Sequence, residues 1–516
     1  MIRTRGWRLP AVLGALFLVG VLAPAPAGAQ PPSFDGRVVG QFTANGQPVP
    51  NVQVTLYDAV TRQYQGAATT DATGSYAVAR LDVARTYRIE FVTPDFVRQW
   101  AHHRTSFETA DAFAVAAGQD TVVDETALPT GTLVITAVDK VTGAPVPQFY
   151  SEAVGESGGR SGNTETGSLT LTNVLPGDYS VVVYPDDLHF STNTTSTVVA
   201  DRTTEVELRL DPAAALETTL VDAATNAPVA DACIQPVAEL DVLGLYLHNC
   251  SGPDGRVRAG RLTGGSYRIF AKPADGVHGA QWVGANRGTG SRYLATVVEA
   301  TPGQVTAVPP IRLDLAGSIA GTVTDAATGR PVPSMCAFPH ATGTGAGPEP
   351  GPHCSDAQGH YTIGGLGPYH WPVEFVGDYT NEAYAWQWSG GRPNQLVAQP
   401  TRVRVGWTST VDARLAAGAT VRGRVLTADG TPATGHVEVV NALTGDPATV
   451  HAFTDENGYY ELRSLAGQFV RIRFTTAYPD ERTFWYRDAS GFHTATPVWV
   501  PSGGATTGID LTIPNA

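Results

Sequence analysis

Lysine is almost absent from this 516-residue chain: Lys140 and Lys272 are the only two among 34 basic residues. Charged residues make up 16% of the chain, against about 25% in average usage. The balance is acidic, with a formal net charge of −14. Such a chain lacks the basic face that nucleic acid or an anionic membrane needs, so no nucleic-acid partner is expected. Sparse charge beside 42% hydrophobic residues also excludes a disordered acidic tail. Long apolar runs are missing after the N-terminus, and a membrane span needs about 20 such residues. Helical stripes are missing too. Residues 107–117 and 239–247 are the two places that fit a short helical turn.

Chemistry-bearing motifs are equally scarce. Gly155-Glu156-Ser157-Gly158-Gly159 has the spacing of a nucleophile elbow, but that device needs a strand entering and a helix leaving. Its Gly- and Ser-rich flanks read as a loop between strands. His340, His353, His360 and His370 surround a cysteine pair without the short fixed spacing of a zinc site, and His102-His103 are adjacent. Asp455-Glu456-Asn457-Gly458 lacks the spaced acids and bidentate Glu of a calcium loop and reads as a turn. No paired carboxylates, phosphate-binding loop or catalytic constellation emerges. No catalytic residue, metal or cofactor is therefore expected.

The N-terminus is a leader. Arg3, Arg5 and Arg8 precede an apolar stretch of 13 residues, Ala11 to Ala23, and Ala27-Gly28-Ala29 is a small-residue cleavage site. Residues 1–29 are read as a signal peptide with mature chain from Gln30, and the protein as secreted, with no membrane span after cleavage.

What the chain has in quantity is Gly (56) and Pro (37), and they recur in order. A strand, a tight turn and a strand-opening Pro appear five times: Gly40 to Pro48, Ile135 to Pro145, Thr219 to Pro228, Gly321 to Pro331 and Gly423 to Pro432. The steps between these prolines are 97, 83, 103 and 101 residues. Asn-Gly, Thr-Gly and Asp-Gly suit turn positions with φ > 0, and Pro opening a strand loses no ladder bond. A second signal follows: Asp, Gly and Tyr, then Leu, then an aromatic strand. It is Asp71, Gly74, Tyr76, Leu81 and Tyr87 in the first copy. The fourth has Asp356, Gly359, Tyr361, Leu366 and Trp371; the fifth has Asp455, Gly458, Tyr460, Leu465 and Phe469. The second (Gly167, Leu175, Tyr179) and third (Asp254, Gly255, Leu262, Tyr267) are degenerate. Between these signals apolar residues alternate with period two, as at Val52, Val54 and Leu56.

Short strands with turns every 8–12 residues mean an all-β string of antiparallel Greek-key β-sandwich domains. The repeats are placed at 30–131, 132–215, 216–316, 317–417 and 418–516, with short joints. If each is about 9–10 extended residues long, at about 3.3 Å per residue it would span about 30–35 Å, and five end to end would make a rod on the order of 150–175 Å.

Gly321 to Pro333 and Thr454 to Tyr460 resemble the carboxypeptidase regulatory-like domains, which have a transthyretin-like sandwich and are similar in fold to Cna-B-type and starch-binding-like domains. The resemblance covers residues 36–516 and implies accessory, stalk or binding modules without catalytic residues. Cna-B-type repeats often carry a Lys–Asn crosslink; two lysines leave little room for one.

Four cysteines supply another staple. Cys233 and Cys250 lie 17 apart in the third repeat, and Cys336 and Cys354 lie 18 apart at matching places in the fourth. In an exported chain these read as two disulfides, each contributing on the order of 3 kcal/mol.

Tryptophans recur after the aromatic strand: Trp100, Trp282, Trp388 and Trp485, three of them in a Gln-Trp dipeptide. Two readings stand side by side. Each Trp packs under its own loop as a device copied with the fold, or flat rings on polar loops stack on sugars while Asn, Gln and Arg bond hydroxyls. Trp386 and Trp388, two apart, would share a strand face as a platform. The expectation is a non-catalytic binding or adhesion protein, its partner a polysaccharide or cell-surface glycan. The alternatives are a spacer or cell-envelope stalk without soluble ligand, and an accessory part of a glycan-degrading, amylase-like system. Oligomeric state is left open.

Overall fold

The computed structural model describes residues 34–156, 158–238, 249–340, 353–377, 382–477 and 481–515. The leader 1–29, the helical turn expected at 239–247, and Ser157 lie outside them. The described chain is all-β apart from two single-turn 3-10 segments. The helical turn expected at 107–117 is instead a run of turns and the short strand Phe113–Ala114. Thr86 and Tyr87 offer a ladder edge there, which Phe113 and Ala114 fill.

Period-two patterning sets the layers. Val52, Val54 and Leu56 are fully buried, as are Val437 and Val439, and five hydrophobic clusters recur along the chain. The stretch 317–415 shows the common plan. The strand Gly317–Asp325 pairs antiparallel with His360–Leu366 and parallel with Thr408–Thr410 and Ala413–Leu415. A facing sheet has Met335–Pro339 between His353–Cys354 and Val373–Gly377, with Gln387–Trp388 beyond.

Parallel pairing of first and last strand was not expected from the hairpin signals, yet it recurs in all five copies. In the second it runs unbroken from Thr132↔Thr203 to Asp139↔Leu210. The chain therefore enters each unit at one end and leaves at the other, which lets the next begin without a long linker.

That pairing explains the repeated Gly and Tyr. In the first, fourth and fifth copies the last strand breaks, and one carbonyl swings over the first strand. A Cβ on Gly40, Gly321 or Gly423 would stand 1.9, 1.9 or 1.8 Å from the carbonyl oxygens of Val123, Val411 and Ile509. The hydroxyls of Tyr76, Tyr361 and Tyr460 donate to those same oxygens at 2.7, 2.6 and 2.6 Å. Gly leaves the space and Tyr satisfies the acceptor. The degenerate copies solve the same problem differently. In the third, Thr218 donates its hydroxyl to Pro309 O at 3.0 Å. In the second, the strand Thr203–Leu210 does not break, and buried Ile135 faces Leu169. The Asp of the motif closes its turn: Asp455 Oδ1 accepts from the N–H groups of Asn457 and Tyr459 at 2.9 and 2.8 Å.

The disulfides are Cys233–Cys250 and Cys336–Cys354, each joining residues directly opposite on neighbouring strands. The residue after each second Cys is a buried Ser, 251 or 355, whose hydroxyl donates to Val229 O or Val332 O. Thr70 and Thr454 do the same to Val49 O and Ala433 O. The disulfide position therefore corresponds to the pairs Gln53↔Thr69 and His436↔Phe453.

In the fifth copy the aromatic Phe469 is 56% exposed, and Val470 takes the core position. Gly155 and Gly158 close a hairpin between Phe149–Gly155 and Gly158–Thr164, not an elbow leading to a helix.

Candidate functional site

The recurrent tryptophans occupy one structural position. Trp100, Trp282, Trp388 and Trp485 pair with Glu90, Phe270, Glu374 and Arg473 of the central strand. Trp100, Trp282 and Trp388 are buried and Trp485 is half-buried. Each is covered by its own neighbourhood. Trp100 meets Phe107 edge-on at 5.3 Å, Trp282 meets Phe270 at 5.2 Å, Trp388 lies 4.4 Å from the His340 ring, and Trp485 packs on Phe492 at 6.0 Å. Arg88 donates to Phe107 O and lies over its ring, pinning the loop onto the tryptophan. Of the two readings of the recurrence, this geometry supports packing.

The preceding Gln is structural as well. Gln281 Nε2 donates to Arg312 O at 2.7 Å, and Asp314 N donates to Gln281 Oε1 at 3.0 Å. Gln99 does the same with Thr126 O and Leu128 N, and Gln387 with Arg414 O and Ala416 N. A side-chain amide thus mimics one more strand at the exit of the unit. In the sugar-contact reading these glutamines would reach hydroxyls; both amide ends are already engaged.

Trp386 and Trp388 do not form an open platform. Trp388 is buried against the His340 ring, while Trp386 is half-buried where the chain meets the next unit, its backbone N–H donating to Ser464 O at 2.8 Å. The exposed tryptophans among the described residues are others: Trp407 at 71% and Trp499 at 52%. The signal that could have found them is their absence from the Gln-Trp recurrence, because a fold device is copied and a surface feature need not be.

The joints are built as carefully as the cores. Asp222 Oδ1 caps the turn after its strand, accepting from Thr225 N at 2.7 Å, while Oδ2 lies 3.0 Å from His278 Nε2. The other ring nitrogen of His278 meets Asp275 at 2.5 Å. The same triad recurs as Asp139, His189 and Asp186, and Tyr384 bonds Asp325 Oδ2 at 3.1 Å at the next joint. Between the third and fourth units the cores merge: Phe270, Ala280 and Trp282 belong to one cluster with Leu366, Trp371 and Phe375. Tyr369 donates to Asp314 across the same boundary.

Burial by itself would lower the pKa of His278, but hydrogen bonds and charge from Asp275 and Asp222 outweigh it and raise it. Asp222 is held low, first by the Thr225 hydroxyl and then by His278. A raised His pKa contributes stability that is full below the unfolded value of about 6.5 and lost as pH rises through the folded value. A lowered Asp contributes above about 4 and is lost as pH falls. Melting of the third unit is therefore expected to be highest between about pH 4.5 and 6.5. His278→Gln should flatten the decline above pH 6.5; a wild-type profile rising from pH 6 to 9 in calorimetry would contradict this.

The histidines of the fourth repeat stay apart. His340 Nε2 bonds Glu374 at 2.9 Å, and no group of three metal-ligating side chains occurs among the described residues. No helix among them is long and apolar enough to cross a membrane.

No family model matches the chain, so the resemblance to carboxypeptidase regulatory-like domains rests on its motifs. No curated protein matches either. Solved structures do. The Bacillus anthracis TIE protein is 10% identical, over 71% of this chain and 69% of its own, at a TM-score of 0.18. A streptococcal ancillary pilin is 15% identical over 54% of this chain and 98% of its own, at 0.22. BcpA, the major pilin subunit of Bacillus cereus, is 12% identical over 54% and 99%, at 0.15. Overlaps this weak carry no argument about function.

Proposed function

We propose that this protein is a secreted, non-catalytic rod of five β-sandwich repeats, with boundaries near residues 131, 215, 316 and 418, serving as an extracellular stalk or adhesive spacer. The observation that supports it is the parallel pairing of first and last strand in every repeat, which puts entry and exit at opposite ends. Hydrogen bonds across boundaries, Arg261 N to Asp187 O and Trp386 N to Ser464 O, and a core shared across one boundary oppose bending. Surface proteins of this kind hold distance, so stiffness is the working property.

Small-angle X-ray scattering on residues 30–516 tests it. A rod on the order of 150–175 Å is expected. A compact globule of this size would have a radius of gyration of about 23 Å, and that value would overturn the reading.

A further inference from the structure

The last repeat has an aromatic cleft built on positions that carry other side chains in the first, third and fourth repeats. It is a groove of 430 Å³ lined by Phe453, Tyr459, Asp455, Glu461, Asp510 and Arg422. Phe453 is 71% exposed and Tyr459 54%, so neither ring serves the core. Equivalent positions in the other copies confirm this. Phe453 corresponds to Thr69, Cys250 and Cys354, by the shared hydroxyl that follows each. Tyr459 corresponds to Ser75, Arg256 and His360, by its place in the ladder. The first repeat keeps an open groove at the same site, lined by Thr69 and Ser75 where the rings would be. The fold is thus made without these aromatics, and exposed rings beside polar groups mark a contact surface.

We propose that this cleft binds a neutral, pyranose-based glycan. Charge narrows the choice. The lining holds three carboxylates and one arginine, and Arg422 is already paired with Glu461 at 2.8 Å, so anionic ligands are disfavoured. The seat for a cation is taken by the protein itself: the Arg424 guanidinium lies 4.9 Å from the centre of the Tyr459 ring, held by Asn457 O. What is left is ring surface for the apolar face of a sugar and carboxylate oxygens to accept from its hydroxyls. A neutral polyol fits both. This goes beyond the rod reading and is tested separately from it.

The test is affinity electrophoresis and calorimetry of the mature chain against amylose, mixed-linkage β-glucan, xylan and galactomannan, with alginate and polylysine as charged probes. Binding to at least one neutral polysaccharide is expected, weakened about five- to tenfold by Phe453→Ala or Tyr459→Ala and retained in Tyr459→Phe. Both side chains are exposed, so the variants should keep the wild-type melting profile. Failure of every neutral polysaccharide to bind, binding undiminished in the double alanine variant, or binding to polylysine or alginate alone would overturn the proposal. Each of these outcomes leaves the scattering result standing.

Discussion

Trp282→Ala is expected to lower stability by about 3–5 kcal/mol and to melt the third and fourth repeats together. The indole is fully buried, and its cluster extends through Ala280 into Leu366, Trp371 and Phe375 of the following repeat. Ala280 N donates to Gly365 O at 2.8 Å, and Gly367 N to Ala280 O at 3.0 Å, so backbone and core are joined at this boundary. Removing the ring leaves a cavity that neither sheet can close without moving the other. Calorimetry of the mature chain should show one shifted transition with roughly twice the enthalpy of a single repeat, since enthalpy scales with residues unfolded. Trp100→Ala is the control, because Trp100 packs on Phe107 and Tyr57 within the first repeat. If both variants shift one repeat's transition by similar amounts, the shared core does not couple its neighbours.

The second large effect is expected from one methyl group. In Gly321→Ala the new Cβ would stand 1.9 Å from Val411 O, and the Tyr361 ring is 3.1 Å away on another side. Val411 N is also tied to Ala320 O at 2.9 Å, so the carbonyl cannot retreat without breaking the parallel ladder. Overpacking of this kind costs about 1–3 kcal/mol, and loss of the buried Tyr361 hydrogen bond adds about 1 kcal/mol. At about 2–4 °C per kcal/mol for a coupled pair of repeats, a fall of about 10 °C in the joint transition of the third and fourth repeats is expected. A shift under about 2 °C would mean the last strand adjusts freely. Tyr361→Phe keeps the ring and deletes the donor, so it should show the hydrogen-bond part alone.

Much of this architecture was legible from residues. Val52, Val54 and Leu56 alternate because a strand with one buried face must, and all three are buried. The cysteines stood at matching places in two repeats, and they are opposed on the ladder. The tryptophans show where such reading stops. Gln-Trp recurs three times, and recurrence was compatible with a ligand platform or a packing device. Only the contacts of Gln281 with Arg312 O and Asp314 N show the amide acting as a strand extension.

The sequence by itself determined the all-β class, the repeat and its turns, and the cysteine pairs, because these depend on local backbone preference and period-two burial. The tertiary structure decided the rest: that first and last strands run parallel, that two cores merge, that three of the four recurrent tryptophans are buried while Trp499, Phe453 and Tyr459 lie exposed. Those facts depend on which strand pairs with which across about 90 residues, and no local signal encodes a pairing over that distance.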